Sequence, residues 1–328
     1  MTSAADDGVP RPAARYLRRR RDPAPRPLSN RDDLVIGASL AGLLPAAWLL
    51  PEACWPRLCR LLARTPVVDR RALARNTEAI RHCLGIDPTR ARAIAVELQA
   101  AVYELRLQNL RALVPGAWRP QITLTGAEHL DAALAAGRGA VLWVGHFAFN
   151  SNVTKMALAA CGKPVTHMSR PEHGFSKTRL GVALLNPVRC AAEDRYLDSR
   201  VVFDRHNPAA AMRRMLLVLD ENRLLSITAG AWEGNDLAEA ALLGGRIRIA
   251  LGAPRLAART GAALLPVFTI RRPDGGFRVA VEPPIALRPG TDRRDTACAA
   301  AAEYLKRHEP WIAAHPDQWR GWKEWRPA

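Results

Sequence analysis

The stretch Gly139-Ala-Val-Leu-Trp-Val-Gly-His-Phe-Ala-Phe-Asn-Ser151 decides the fold of the chain. Residues 140–144 are all apolar, as in a fully buried strand, and the polar residues that follow predict the start of a helix. The junction between a strand and the next helix is where α/β folds commonly hold ligand-binding groups. His146 is therefore the best candidate for a general base; the alternative is a hydrogen-bonded structural histidine.

Short apolar runs separated by amphipathic segments continue from Gly126 to the end of the sequence. This alternation predicts an α/β domain over 121–328, with a central mixed, mostly parallel sheet flanked by helices. The predicted strands are 140–144, 165–168, 224–228, 264–271 and 277–281. The predicted helices are 153–160, 177–185, 209–221, 249–260 and 295–314.

The preceding part of the chain predicts helices and a basic arm. Residues 34–120 have helical periodicity, and 34–50 carry no charge but are slightly short for a bilayer span. Residues 55–64 alternate arginine with leucine, which fits either a helix in a membrane interface or one packed on the next domain. Residues 1–33 are rich in Pro, Arg and Asp and predict a disordered basic arm.

Composition excludes several classes of site. The six cysteines form no C-x-x-C pair and have no neighbouring histidine cluster, so we expect no structural metal and a reducing compartment. Neither a P-loop nor a G-x-G-x-x-G segment is present, so the sequence does not support nucleotide binding through either motif. The net charge of +17 predicts attraction to polyanions, which could be nucleic acid, anionic lipid or an acidic carrier protein.

Five segments in the right order resemble one enzyme family, the bacterial lipid A biosynthesis acyltransferases of the lysophospholipid acyltransferase superfamily. Gly145-His-Phe147 looks like the family's G-H-F box, and His315-Pro-Asp-Gln-Trp319 is similar to its terminal H-P-E-Q-W. The other three segments are 167–171, 242–246 and 251–268. The resemblance covers roughly residues 30–328.

The resemblance implies a mechanism and reveals a missing acid. In this family the histidine deprotonates an acceptor hydroxyl, which attacks an acyl thioester, and an acid five positions later supports the imidazolium. Here that position is Ser151, which supplies no negative charge. Three explanations stay open: an acid from elsewhere, an acceptor that needs less help from a base, or a chain that binds acyl groups without transferring them. The suspected replacement acids are Glu172, Glu233 and Asp236.

Further residues are candidates for substrate binding. Asn150 is next to Ser151, and Arg170 and Arg246 are candidates for phosphate recognition, since guanidinium binds phosphate bidentately. Gly244 and Gly245 would let backbone amides approach a phosphate, unless they form a plain turn. Lipid A enzymes have a polar pair similar to Asp-Gln before a glycine-rich turn, and this chain has Thr228-Ala229 at that position. This change in a second motif of the family makes lipid A itself a doubtful acceptor.

The sequence thus predicts an acyltransferase that uses an acyl carrier protein or coenzyme A thioester and a lipid or small-molecule acceptor. We expect no metal or cofactor, no nucleic-acid partner, and a place at the cytoplasmic face of the bacterial inner membrane, either peripheral or with one N-terminal anchor. A catalytically impaired acyl-binding protein is the main alternative. A nucleic-acid binder is supported only by charge.

Overall fold

The computed structural model describes residues 14–19, 26–65, 70–114, 118–204, 207–230, 235–287 and 293–328. Within these ranges the α-helices are α1 (Arg31–Leu49), α2 (Trp55–Ala63), α3 (Arg70–Leu84), α4 (Pro88–Ala112), α5 (Ala127–Ala135), α6 (Asn150–Ala160), α7 (Arg179–Leu184), α8 (Asn186–Asp194), α9 (Pro208–Asp220), α10 (Gly252–Thr260) and α11 (Arg293–Ala314). The β-strands are β1 (Ala14–Arg18), β2 (Ile122–Thr125), β3 (Ala140–Val144), β4 (Val165–Ser169), β5 (Leu197–Val202), β6 (Leu224–Thr228), β7 (Asp236–Leu242), β8 (Gly245–Ala250), β9 (Ala263–Arg271), β10 (Phe277–Val281) and β11 (Arg326–Pro327).

A seven-stranded sheet in the order β2-β10-β9-β3-β6-β4-β5 forms the centre of the molecule. Its neighbouring strands are parallel except for β9 and β10, which form an antiparallel hairpin. The middle strand, β3, is buried along its whole length, as expected for a strand covered on both faces. The predicted α/β class with a mixed, mostly parallel sheet is confirmed.

The strand registers bring the carboxyl ends of three strands to one edge of this sheet. Val144, the last residue of β3, pairs with Thr228 at the end of β6 and with Val267 in β9. The loops that leave β3 and β6 therefore emerge side by side, and β4 pairs with β6 on the far side. This edge is where an α/β sheet offers a ligand site.

Four helices precede the central sheet, and α4 is the one on which the others pack. It begins where Asp87 accepts a hydrogen bond from the amide of Arg90 and Pro88 occupies the first turn, a standard start signal for a helix. α1 is held along α4 by hydrogen bonds from Arg106 Nη1 to Ser39 Oγ, 2.7 Å, and from the Trp48 indole to a carbonyl of α4, 3.2 Å.

Within the described part of the chain, α1 is the one helix long and apolar enough to cross a membrane, with a mean hydropathy of 1.3. Leu40, Leu43 and Ala47 are buried against the protein, whereas Leu34 and Leu49 are 76% and 80% exposed. One side of α1 thus packs on the protein and the other presents apolar side chains outward, which suggests membrane association.

A second, four-stranded antiparallel sheet has the order β1-β7-β8-β11. Our prediction of a disordered arm over 1–33 is wrong for residues 14–18, which form β1 and pair with β7, and for 31–33, which begin α1. The Tyr16 hydroxyl donates to Asp236 at 2.5 Å across this pair. The order comes from a partner some two hundred residues away, which composition does not reveal. Residues 1–13 and 20–25 of the arm lie outside the described residues.

The other predicted elements agree with the structure to within a few residues at their ends, with one correction. The helix predicted over 249–260 begins at Gly252, because residues 249–250 belong to β8. Strands β1, β2, β5, β7, β8 and β11 were not predicted. β7 reads Asp-Leu-Ala-Glu-Ala-Ala-Leu, whose alanines and glutamate favour a helix until the pairing with β8 and β1 makes it a strand.

Candidate active site

The loop that carries His146 joins β3 to α6 at the carboxyl edge of the central sheet. The amide of Gly145 donates to the carbonyl of Val267 at 2.7 Å, which continues the β3–β9 ladder by one residue. A Cβ atom at position 145 would lie 2.8 Å from the buried ring of Phe268. Glycine is therefore required at this position for the loop to turn against that ring.

The C-terminal segment holds this loop in place. The amide of Arg320 donates to the carbonyl of His146 at 3.0 Å, and the amide of Ala148 donates to the carbonyl of Gln318 at 2.7 Å. The Gln318 side chain in turn accepts from the backbone amide of Arg271 at 2.7 Å and donates to its carbonyl at 3.1 Å. The segment 315–320 thus connects the end of β9 to the histidine loop.

The charged groups that lower the pKa of His146 are cationic. Its side chain is partly exposed, and burial of the ring lowers its pKa well below the usual value of 6.5. Arg320, Lys323, Arg189 and Arg170 lower this pKa further, in that order. The imidazole is therefore neutral near pH 7 and able to accept a proton, but the imidazolium that would form lacks support from these neighbours.

Ser151 is buried in the first turn of α6, with 6% of its surface exposed. Its hydroxyl oxygen has no hydrogen-bond partner among the described residues, so a bond to His146 is not formed. The neighbouring Asn150 is also buried, and Asn152 donates to Asn109 of α4 at 2.9 Å. The first turn of α6 therefore offers a polar but uncharged surface behind the histidine loop.

Two of the three suspected replacement acids, Glu172 and Asp236, are engaged elsewhere. Glu172 forms an ion pair with Arg26, and Asp236 pairs with Arg255 and with Tyr16 in the second sheet. Glu233 lies outside the described residues. Neither Glu172 nor Asp236 is among the main groups that shift the pKa of His146.

Arg170 acts on the site, whereas the glycine pair belongs to the second sheet. Arg170 follows β4, and its charge acts on His146. Gly244 and Gly245 form the turn between β7 and β8, where a Cβ atom at position 245 would lie 2.3 Å from the Trp325 ring. Arg246 is exposed beside that turn. Packing under Trp325 thus accounts for Gly245.

A narrow, mostly apolar pocket opens beside His146. About 30 Å³ of it is open to a water-sized molecule, so an incoming chain would have to widen it. Its walls come from the end of β6, from β8, from α11 and from the C-terminal segment. The lining residues are His146, Ala229, Gly230, Ile247, Arg248, Ile249, Tyr304, Leu305, His308, Trp319, Gly321 and Glu324.

A buried charge network lies next to this site, and our reading of the sequence missed it. Glu193 of α8 is fully buried and pairs with Lys155, with Arg189 at 2.8 Å, with His173 at 2.8 Å and with Arg200 at 3.2 Å. Burial alone would raise the pKa of Glu193, but these cations hold it well below its usual value. One clue to this network in the sequence was Lys155, a lysine that lies one turn after Ser151 on the apolar face of α6.

Part of this network has the donor types of a metal site. Potential ligand atoms of His167, His173 and Glu193 lie within 4.8 Å of one another. The Glu193 carboxylate is already shared by Lys155 and two arginines, whose positive charge opposes a bound cation. Among the described residues this cluster is better explained as an ion-pair network that fixes α8 against α6.

A neutral histidine lies at the end of a central parallel strand, beside an apolar pocket and near several positive charges. Such a site is suited to removing a proton when a substrate with apolar and anionic groups is bound. The family model for bacterial lipid A biosynthesis acyltransferases matches residues 38–323, and the chain belongs to that family. It is therefore an acyltransferase that acts on lipid-like substrates, an acyl donor and a lipid acceptor.

Other comparisons are more distant. No curated protein matches the chain. Among solved structures, that of the 1-acyl-sn-glycerophosphate (LPA) acyltransferase PlsC from Thermotoga maritima is similar, at 12% identity and a TM-score of 0.38. The likeness covers 80% of this chain and 98% of that one, and at this level it carries no argument about substrates.

Proposed function

We propose that the protein transfers a fatty acyl group from an acyl carrier protein or coenzyme A thioester to a hydroxyl or amine acceptor, with His146 as general base. The observation that carries the proposal is a neutral imidazole at the mouth of an apolar pocket. A base must be unprotonated to act, and an acyl chain needs apolar walls. His146 and its pocket meet both requirements within one site.

In the proposed reaction His146 takes the proton of the acceptor hydroxyl or amine as its oxygen or nitrogen attacks the thioester carbonyl. The tetrahedral intermediate then expels the carrier thiolate, which takes up the proton from the imidazolium. The reaction consumes the acceptor and the thioester and yields the acylated acceptor and the free thiol, so it balances without a metal or cofactor. Ser151 stands where the family has an acid and itself supplies no negative charge to the imidazolium, so we expect slow turnover.

The cations around His146 suit the acyl donor. Arg170, Arg320 and Lys323 lower the pKa of the imidazole, and we take these three positive charges as a cationic rim near the pocket. The phosphopantetheine arm of either carrier has a phosphate, which guanidinium groups bind bidentately. We assign this rim to the donor phosphate, with Asn150 as a further substrate contact.

The proposed acceptor differs from the standard lipid A precursor. Thr228 and Ala229 end β6 beside the pocket, and Ala229 lines it. Ala229 belongs to one of the two boxes that depart from the family pattern and lines this pocket, and Ser151 of the other box begins the helix that follows the histidine loop. Efficient acylation of a lipid A precursor by the purified protein would contradict this part of the proposal.

We place the protein at the cytoplasmic face of the bacterial inner membrane, held there by the exposed apolar side of α1. Acyl carrier protein and coenzyme A thioesters are cytoplasmic, and a lipid acceptor is presented at the membrane surface. We propose no nucleic-acid partner.

The test is transfer of a labelled acyl group from both carriers to lipid, sugar and amine acceptors. We expect turnover by the wild type, its loss in His146→Ala, and no change in His129→Ala, a half-buried histidine away from the pocket. Saturable acyl binding that survives His146→Ala, without turnover of any pair, would support the alternative of an acyl-binding protein that has lost catalysis. Ser151 is the observation that favours this alternative.

A further inference from the structure

Helix α11 brings two buried polar groups to the wall of the pocket beside His146. Tyr304 and His308 both line it, one turn apart on α11, and their rings lie 5.4 Å apart between centroids. Tyr304 is fully buried and His308 is 3% exposed. Neither residue is used in the proposed reaction.

Both groups carry a polar atom that the protein leaves unsatisfied. The Tyr304 hydroxyl and the His308 Nε2 atom are buried and have no hydrogen-bond partner among the described residues. Burial raises the pKa of Tyr304 well above its usual value and lowers that of His308 to about 3, so both side chains stay neutral. Buried polar groups in proteins are nearly always hydrogen-bonded, and an exception calls for a partner.

The surroundings explain why the protein cannot supply that partner. His308 is stacked on Phe268 with ring centroids 4.9 Å apart and also contacts Phe147 and Trp319. Tyr304 lies 4.2 Å from the Trp143 ring. Aromatic rings fix the two side chains but offer their polar atoms no acceptor or donor, so the partner has to enter through the pocket.

We infer that the acyl chain bound in this pocket carries a hydroxyl group, which Tyr304 and His308 recognise. A hydroxyl both donates and accepts one hydrogen bond, as a neutral phenol and a neutral imidazole together require. An unsubstituted chain would leave both polar atoms buried without partners, so the pocket discriminates against it. This inference rests on the proposed function, because it assigns the pocket to the acyl chain.

The experiment compares 2-hydroxyacyl and 3-hydroxyacyl thioesters with unsubstituted thioesters of the same length. For wild type we expect kcat/KM to favour one hydroxyacyl donor by about tenfold or more, as for sites built around a substrate hydroxyl. Tyr304→Phe removes only the phenolic oxygen and should bring this preference close to unity. Tyr196→Phe, a half-buried tyrosine that does not line the pocket, is the matched control.

Binding of the free hydroxy acids and the corresponding plain acids, by displacement of a fluorescent fatty acid, gives the same ratio without turnover. A protein that binds hydroxy acids preferentially but transfers nothing would refute the acyltransferase mechanism and keep the hydroxyl recognition. Equal binding of both series by wild type, or a preference that persists in Tyr304→Phe and in His308→Phe, would overturn the inference. In that case water satisfies the two polar atoms.

Discussion

Ser151 separates two properties of the site. His146 is able to accept a proton, but the serine does not provide the negative charge that supports efficient catalysis in the family. Burial and four cations lower the pKa of His146, so the base is available although Ser151 supplies no carboxylate. The same cations destabilise the imidazolium once the proton has been taken up. An acid at position 151 would balance that charge, whereas Ser151 is uncharged.

We predict that Ser151→Asp raises kcat. An Asp in the first turn of α6 is favoured by the helix dipole and would bring a negative charge to the position that supports the imidazolium in the family. We expect a gain of about tenfold or more, within the range attributed to assisted general-base catalysis. The measurement is single-turnover acyl transfer with the best donor and acceptor pair.

The pH profile supplies a second readout of the same variant. The wild-type base has a pKa well below 6.5, so kcat/KM should stay flat as pH falls from 7 to about 6. An added carboxylate stabilises the protonated ring, raises its pKa and moves the loss of activity toward neutral pH. Ser151→Asn has a similar size without the charge; equal gains in both variants would show that charge is not the missing element.

At the scale of elements, the site depends on the contact between the C-terminal segment and the ends of β3 and β9. The Gln318 side chain makes two hydrogen bonds to the backbone of Arg271, and its carbonyl holds Ala148 two residues after His146. Because one residue joins both elements, a change at this position alters the histidine loop without touching its sequence.

We predict that Gln318→Leu lowers kcat more than it changes KM. Leucine has nearly the same size but leaves the amide and carbonyl of Arg271 without their partners, a loss of about 1–3 kcal/mol of stability. Denaturant unfolding and steady-state kinetics measure the two effects. The control is Gln121→Leu, which changes an exposed glutamine outside this contact. An unchanged kcat in Gln318→Leu would show that the histidine loop is held without the hydrogen bonds of the Gln318 side chain.

The second sheet offers a test of what Gly245 does. If it serves packing under Trp325, Gly245→Ala should destabilise the protein by about 1–3 kcal/mol, since an added methyl group meets a fixed ring. Trp325→Ala removes that ring, so the two changes together should cost less than the sum of their separate effects. Additive losses, or a rise in the KM for the donor with normal stability, would point instead to phosphate binding.

Sequence pattern was sufficient for elements with a clear period and insufficient for those made by distant pairing. β3 and β6 are short apolar runs and were predicted from them, and the histidine loop followed from its place after β3. β1 and β7 lack such a pattern and exist because they pair with each other. The Glu193 network was equally hidden, since a glutamate on α8 meets Lys155 only when α8 packs on α6.

At the scale of the whole molecule, two features direct the protein to a surface. The net charge of +17 attracts it to anionic lipid over long range, and the exposed side of α1 gives it apolar residues to insert. Charge alone would give binding that salt abolishes. Insertion of apolar side chains should leave binding that persists at high salt.

We predict that Leu49→Asp weakens binding to vesicles of phosphatidylglycerol and phosphatidylethanolamine by about tenfold or more, with a larger relative effect at high salt. Leu49 is 80% exposed, and inserting one leucine stabilises binding by about 1.5–3 kcal/mol, which a carboxylate would forfeit. Leu217→Asp makes the same change at a 50% exposed position on α9 and controls for added charge. Vesicle flotation of the two variants, both shown to be folded by their thermal unfolding, gives the comparison. Equal weakening of vesicle binding in both variants would mean that charge dominates binding. Weaker binding in Leu217→Asp alone would place the membrane-facing side of the protein on α9 and separate α1 from the lipid acceptor.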